Sequence, residues 1–349
     1  MRARDRHDYR PSEEQLKLFP EVSGNAINGR GESGRRRPTP VYWRQPSTIP
    51  HGALQSYMVD RFNAVPEFAG VYAQPGARGP RRLEPVAEAR TQKTPAEWAA
   101  EVKAFALAHQ ADLVGIARLD PAWVYDDREV AAPWVVVLGL AMDHARLATA
   151  PASADNTASQ LEVADQYNRG DRAAKALAGW IRSQGWNASS HAGPWAGSLT
   201  LIPPALACGF GELGKHGSII NRRYGSSFRL AGVSTDLALV ADAPESFGAD
   251  DFCTSCRVCT DACPPDAIFE HKQTVRGEVK WYVDFDKCIP YFNDTFGCGI
   301  CIAVCPWSLP GVAPRLADKL VGRRARLTQG EGSALNAQLS TLNAQPGRS

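Results

Sequence analysis

The stretch "CTSCRVCTDACPPDAI", residues 253–268, decides how the rest of this 349-residue chain is read. It runs Cys253-x2-Cys256-x2-Cys259-x3-Cys263-Pro264, and a second run follows as Cys288-x9-Cys298-x2-Cys301-x3-Cys305-Pro306. Three closely stepped thiolates wrap one iron–sulfur cube, while a fourth cysteine just before proline points towards a neighbouring cube. The spacing therefore assigns Cys253, Cys256, Cys259 and Cys305 to one [4Fe–4S] cluster. Cys263, Cys288, Cys298 and Cys301 go to a second. A pair of zinc sites is the alternative, but zinc usually takes two Cys pairs across a longer gap rather than a repeated triple step with Cys-Pro. The ninth cysteine, Cys208 in "PPALACGFG", reads as a small core residue.

An odd cysteine total, with eight of nine inside residues 253–305, argues against a disulfide scaffold. The composition, 44% hydrophobic and 22% charged, is that of a soluble globular protein. A formal net charge of +2 is too small to argue for nucleic acid or an anionic membrane as partner. The longest apolar run, "PWVVVLGLAM" at 133–142, is about half of what a bilayer needs and reads as a buried strand. Arg35-Arg36-Arg37 resembles a twin-arginine export signal, but "PTPVYWRQPST" follows where an apolar segment should be. The expected location is cytoplasmic.

Residues 1–93 are rich in Arg, Gly and Pro and are expected to form an irregular N-terminal arm. Thr94-Pro95 with Glu97 predicts a helix start, and "AEWAAEVKAFALAHQ" puts Trp98, Val102, Phe105 and Leu107 or Ala108 on one stripe. "ADLVGIARL" and "WVVVLGLAM" predict strands, so residues 94–248 alternate helix and strand as an α/β (α+β) domain. A second helix is predicted over 157–184, with Gly170 as a possible kink. Residues 249–310 form the ferredoxin-type module. Residues 311–349 form a tail, read as a terminal helix followed by disorder.

In order along the chain stand "VKAFALAHQADLVGIARLDPAWVY" (102–125), "GWIRSQGWNA" (179–188), "GFGELGKHGSII" (209–220), "FRLAGVSTDLAL" (228–239) and "GCGICIAVCPWS" (297–308). With both cysteine runs, this ordered set resembles the reductive dehalogenase family. The related epoxyqueuosine reductases share the architecture, and "STDLAL" looks more like the dehalogenase side. The resemblance implies a nitroreductase-like domain that binds cobalamin base-off, without a protein ligand below the cobalt. No Asp-x-His-x-x-Gly stretch is present to supply one.

The same resemblance implies site residues. Tyr167 in "ADQYNRGD" matches the family's proton donor, and Arg229 in "SSFRLAG" the basic residue beside it. A nearby guanidinium favours phenolate and makes the phenol a better acid. The turn "GELGKHG" (211–217) implies cofactor contacts from Gly211, Glu212, Gly214, Lys215 and Gly217. The expected partners are a small organohalide and a low-potential electron donor such as ferredoxin or flavodoxin. One departure is plain: the Asn-Asp pair that many relatives carry before an "IPPALA"-like segment is missing from "HAGPWAGSLT" (191–200), where Trp195 is a candidate to line the pocket.

Two other readings stand beside this one. An epoxyqueuosine reductase-like enzyme acting on tRNA would carry an acidic residue in an Arg-Asp-Tyr-His context. Here "RGDRAAK" offers Asp171 without the Tyr-His. A ferredoxin-type carrier without corrinoid would leave residues 94–248 with no task.

Overall fold

The computed structural model describes residues 9–326, apart from positions 75, 81, 194 and 196. The segment expected to be an irregular arm instead carries four helices: α1 (Glu13–Leu16), α2 (Gly24–Ile27), α3 (Gly52–Asn63) and α4 (Pro66–Ala73). Ser12 and Ser23 cap the first two by accepting backbone N–H bonds, and Pro66 opens α4. Leu54, Met58 and Phe62 recur every four residues along α3 and are all buried. Phe62 stacks on Phe68 of α4 at 4.8 Å. That period is short and sits among Gly and Pro, which hid it in the sequence.

The α/β domain begins with α5 (Pro95–Ala108), whose Thr94 and Glu97 form the reciprocal capping box expected from their spacing. Trp98, Val102 and Ala106 are its buried stripe, and Phe105 stacks on Trp180 at 4.8 Å. Leu107 points outward at 53% exposure, so the stripe continues through Ala106 rather than Leu107. After β1 (Leu113–Arg118) and β2 (Trp134–Ala141) come α6 (His144–Leu147), the long α7 (Ala158–Ser183) and β3 (Ala188–Ala192). Then follow α8 (Ile202–Ala207), a small hairpin of β4 (Glu212–Leu213) and β5 (Ile219–Ile220), and β6 (Phe228–Thr235).

The main sheet has the order β1-β2-β6-β3 with every pair antiparallel. Helices α5 and α7 cover one face, where Leu177 and Ile181 are fully buried; each such side chain contributes roughly 1.5–3 kcal/mol. The other face packs Val135 and Val137 against Ala205, Cys208 and Phe210. Burial on both sides explains the continuous apolar runs of the central strands. Gly170 does not break α7: a Cβ there would stand 3.2 Å from both Ala231 and Leu140, so the glycine lets the helix lie close on the sheet.

The cluster module comprises α9 (Ala249–Ser255), α10 (Val258–Asp261), a hairpin of β7 (Gln273–Val275) and β8 (Glu278–Lys280), α11 (Phe285–Asp294) and α12 (Ile300–Ala303). A further helix, α13, runs through 312–326 of the described residues, and the disorder expected further on lies outside them. The arm ties this module down. Tyr42 donates to Asn293 at 2.9 Å, and Asn25 donates to Asp284 at 2.8 Å and to Asp286 at 2.9 Å. No helix among the described residues is long and apolar enough to cross a membrane.

Candidate functional site

All nine cysteines are unpaired thiols. Burial pushes Cys259, Cys305 and Cys288 up to about 12, and Cys253 and Cys298 to about 11. Neighbouring cysteines also raise them, and these sort by position. Cys259 feels Cys253 and Cys256, while Cys305 feels Cys253 and Cys259. Cys288 feels Cys298 and Cys263; Cys301 feels Cys298 and Cys288, and also Cys259 and Cys263. Cys305 thus lies near Cys253 and Cys259, and Cys263 packs with Cys259, Cys288 and Cys301. No three Cys, His, Asp or Glu among the described residues converge as a single ion would need.

A cavity of about 690 Å³ separates the α/β domain from the cluster module. Cys263, Cys288, Cys298 and Cys301 line it on the module side; Tyr167 and Arg229 line it on the other. Cys253, Cys256, Cys259 and Cys305 do not reach it. Cys253 and Cys305 pack instead with Trp307, Phe247 and Trp281. A second pocket of about 340 Å³ also has Tyr167 and Arg229 in its wall, so this pair stands between the two spaces. Helix α7 carries Tyr167 and β6 carries Arg229, and the guanidinium carbon lies 5.5 Å from the tyrosine ring centre. Arg229 Nε is buried without a hydrogen-bond partner, and no carboxylate among the described residues pairs with this guanidinium. Gly193 makes room for the tyrosine: a Cβ there would come within 2.4 Å of the ring.

The glycine-rich turn divides. Gly217 lines the large cavity, but Gly211, Glu212, Gly214 and Lys215 do not. Gly211 has φ +128°, and a Cβ would meet Ile220 O at 2.0 Å, so it serves the β4–β5 hairpin. Glu212 Oε2 accepts the N–H groups of Phe247, Gly248 and Ala249 at 2.8–2.9 Å, fastening the start of α9. Lys215 is buried, donates to Cys256 O at 2.8 Å and lies over Trp281. Both charged residues serve the junction with the cluster module. His216 lines the cavity, and burial lowers it to about 4. Its Nδ1 accepts from Ser218 N at 3.2 Å, and its Nε2 sits 3.1 Å from Ser226 Oγ. His191, also at the cavity and lowered to about 4 by burial, holds Ser234 Oγ at 2.8 Å through Nε2.

The smaller pocket draws on residues the sequence did not single out. Trp43, Phe62, Tyr72 and Phe292 line it, together with Arg78 and the expected Trp195. Tyr72 is pushed well up, chiefly by burial and then by Tyr167, while Arg78 and Arg229 pull it down. Arg78 pairs with Asp171 at 3.1 Å and donates to Gly193 O at 3.0 Å. Lys175 holds Asp171 as well, at 3.0 Å, so this carboxylate anchors Arg78. Most of these residues come from the arm, whose helices were not legible.

The fold and the cysteines together define an iron–sulfur protein whose cluster module opens onto a large cavity in an α/β domain. Residues 252–309 match the family described as a 4Fe-4S dicluster domain, which sets aside the zinc alternative. The chain is similar to the reductive dehalogenases. It is 29% identical over 261 residues to a tetrachloroethene reductive dehalogenase of Sulfurospirillum multivorans, covering 61% of this chain and 51% of that protein. A solved catabolic reductive dehalogenase in complex with 3-bromo-4-hydroxybenzoic acid superimposes with a TM-score of 0.62 at 26% identity, covering 80% of this chain and 40% of that one. An epoxyqueuosine reductase of Leadbetterella byssophila is 37% identical, but over 121 residues, or 30% of this chain and 35% of the enzyme. The chain spans about half the length of the first of these relatives.

Proposed function

We propose that this chain is a cobalamin-dependent, reductive dehalogenase-like oxidoreductase, with a nitroreductase-like α/β domain as its cobalamin-binding unit. One observation carries the reading: Tyr167 and Arg229 form the wall between two cavities, and four cysteines face them across the larger one. Cys253, Cys256, Cys259 and Cys305 hold one [4Fe–4S] cluster in this reading; Cys263, Cys288, Cys298 and Cys301 hold a second, nearer the cavity. The residues present fit a corrin held base-off in the larger space. The Nε2 atoms of His191 and His216 are already held by Ser234 and Ser226, and Gly193, Gly197 and Gly217 present bare backbone. Bound cobalamin would supply low-valent cobalt, and the clusters would supply single electrons.

The protein's own part is binding, orientation and proton supply. Replacing halogen by hydrogen consumes two electrons and one proton and releases halide. Tyr167, in the wall of both spaces, would supply that proton from Oη, and the Arg229 guanidinium beside its ring would stabilise the phenolate left behind. The smaller pocket, walled by Trp43, Phe62, Tyr72, Trp195 and Phe292, suits a single halogenated aromatic ring. Arg229, without a carboxylate, and Arg78 suit an acidic group on that ring. The electron donor in this reading is a low-potential protein such as ferredoxin or flavodoxin.

Anoxic reconstitution with iron, sulfide and cobalamin tests the proposal. About eight iron per cobalt, with a base-off cobalt(II) EPR signal, is the expected result; a chain that retains no corrinoid would sink it. Tyr167→Phe should then lose at least about 100-fold in turnover of a halogenated phenol, the usual scale of a general acid. Unchanged turnover with clusters intact would remove Tyr167 from the role.

A further inference from the structure

Helix α13, residues 312–326 with the sequence "VAPRLADKLVGRRAR", separates its two faces sharply. Ala313 and Ala317 are fully buried, and with Leu316 and Leu320 they pack against Trp307, Phe247, Cys253 and Cys305. The helix therefore packs on Cys253 and Cys305, two of the cysteines that do not reach the cavity. Its outer face carries Arg315, Lys319, Arg323 and Arg326, all exposed. These are positions i, i+4, i+8 and i+11, which share one side at 3.6 residues per turn.

None of the four has a carboxylate partner among the described residues. The nearby acids are engaged elsewhere: Asp251 pairs with Arg324 on another face of the helix at 2.5 Å, and Asp318 pairs with Arg222 at 3.1 Å. Like charges at i, i+4 destabilise a helix. The helix dipole opposes Arg315 in the first turn. An unpartnered stripe of this kind calls for an anionic surface to meet it.

We propose that the outer face of α13 is the docking surface for an acidic one-electron carrier protein of the ferredoxin or flavodoxin class, delivering electrons to the cluster of Cys253, Cys256, Cys259 and Cys305. This rests on the cluster assignment proposed above. The position favours a redox protein over RNA or an anionic membrane, because the helix that carries the stripe packs on Cys253 and Cys305. In each transfer the reduced carrier loses one electron and the oxidised cluster gains it; no bond forms or breaks. Complementary charge speeds such encounters and makes them salt-sensitive.

The test follows cluster bleaching by stopped flow in the full chain reconstituted with iron and sulfide, which needs neither corrinoid nor halide. The quantity read is the rate with reduced bacterial ferredoxin divided by the rate with reduced methyl viologen. Lys319→Glu with Arg323→Glu should lower this ratio about tenfold at low salt, and rising salt should lower it in the wild type. Lys319→Gln with Arg323→Gln serves as a milder pair should the reversal disturb folding. A ratio unmoved by salt and by both pairs overturns the proposal. So does loss of binding to RNA or anionic vesicles with the ratio unchanged. A ratio that falls in a chain inactive on organohalides upholds the docking surface while sinking the dehalogenase reading.

Discussion

Glu212 separates two accounts of the glycine-rich turn, one in which it touches the cofactor and one in which it is a strut between domains. Its Oε2 accepts three backbone N–H groups at 2.8–2.9 Å, all at the start of α9, and its Oε1 accepts from Ser246 at 3.1 Å. A hydrogen bond to a charged acceptor contributes about 1.5–3 kcal/mol, and a carboxylate at a helix start adds about 0.3–1 kcal/mol. Three donors share one oxygen, and water regains part of the loss at this half-buried site, so the contributions do not add in full. Glu212→Ala should therefore cost about 3–4 kcal/mol, and Glu212→Gln, which keeps an acceptor, about 1–2 kcal/mol. Urea unfolding of the unloaded chain, followed by tryptophan fluorescence, reads this directly. Trp281 and Trp307 lie in the core that α9 joins. Both variants should also expose 243–249 to proteolysis. If Glu212→Ala left stability within about 0.5 kcal/mol and instead abolished corrinoid retention, the strut argument would fall and the cofactor-contact reading would return.

Two further outcomes follow from the same geometry. Cys263→Ser should perturb the EPR signal of the cluster shared with Cys288, Cys298 and Cys301, although Cys263 belongs to the first run; a change confined to the other cluster would refute the interleaving. Burial holds His191 and His216 at about 4, below the unfolded value of about 6.5. The unfolded chain therefore takes up protons first as pH falls. Stability should be full above about pH 6.5 and lost progressively down to about pH 4, by roughly 3 kcal/mol per histidine. His216→Gln should flatten that slope in thermal melts at graded pH, and an unchanged slope would refute the assignment.

The arm shows where local sequence stops informing. Leu54, Met58 and Phe62 are helical in period, but their value depends on Phe68, Tyr42 and Ile289, which only the fold brings near. Gly170 shows the same limit: a local reading makes it a kink, while contact with Leu140 and Ala231 makes it a packing site. In "GELGKHG", spacing could not tell which side chains face the cavity. The hairpin turns Gly217 towards it and Glu212 and Lys215 towards the cluster module.

What the sequence by itself determined is the cysteine pattern, the capped helix at Thr94 and the two central strands. Each of these is encoded within a few neighbouring residues. The tertiary structure alone decided that the Cys263 set faces the cavity, that Tyr167 and Arg229 divide two spaces, and that Arg78 and Tyr72 join them. Those facts depend on which surfaces meet when α3, α7, β6 and α11 bury their apolar faces against one another, and no local period or spacing carries that information.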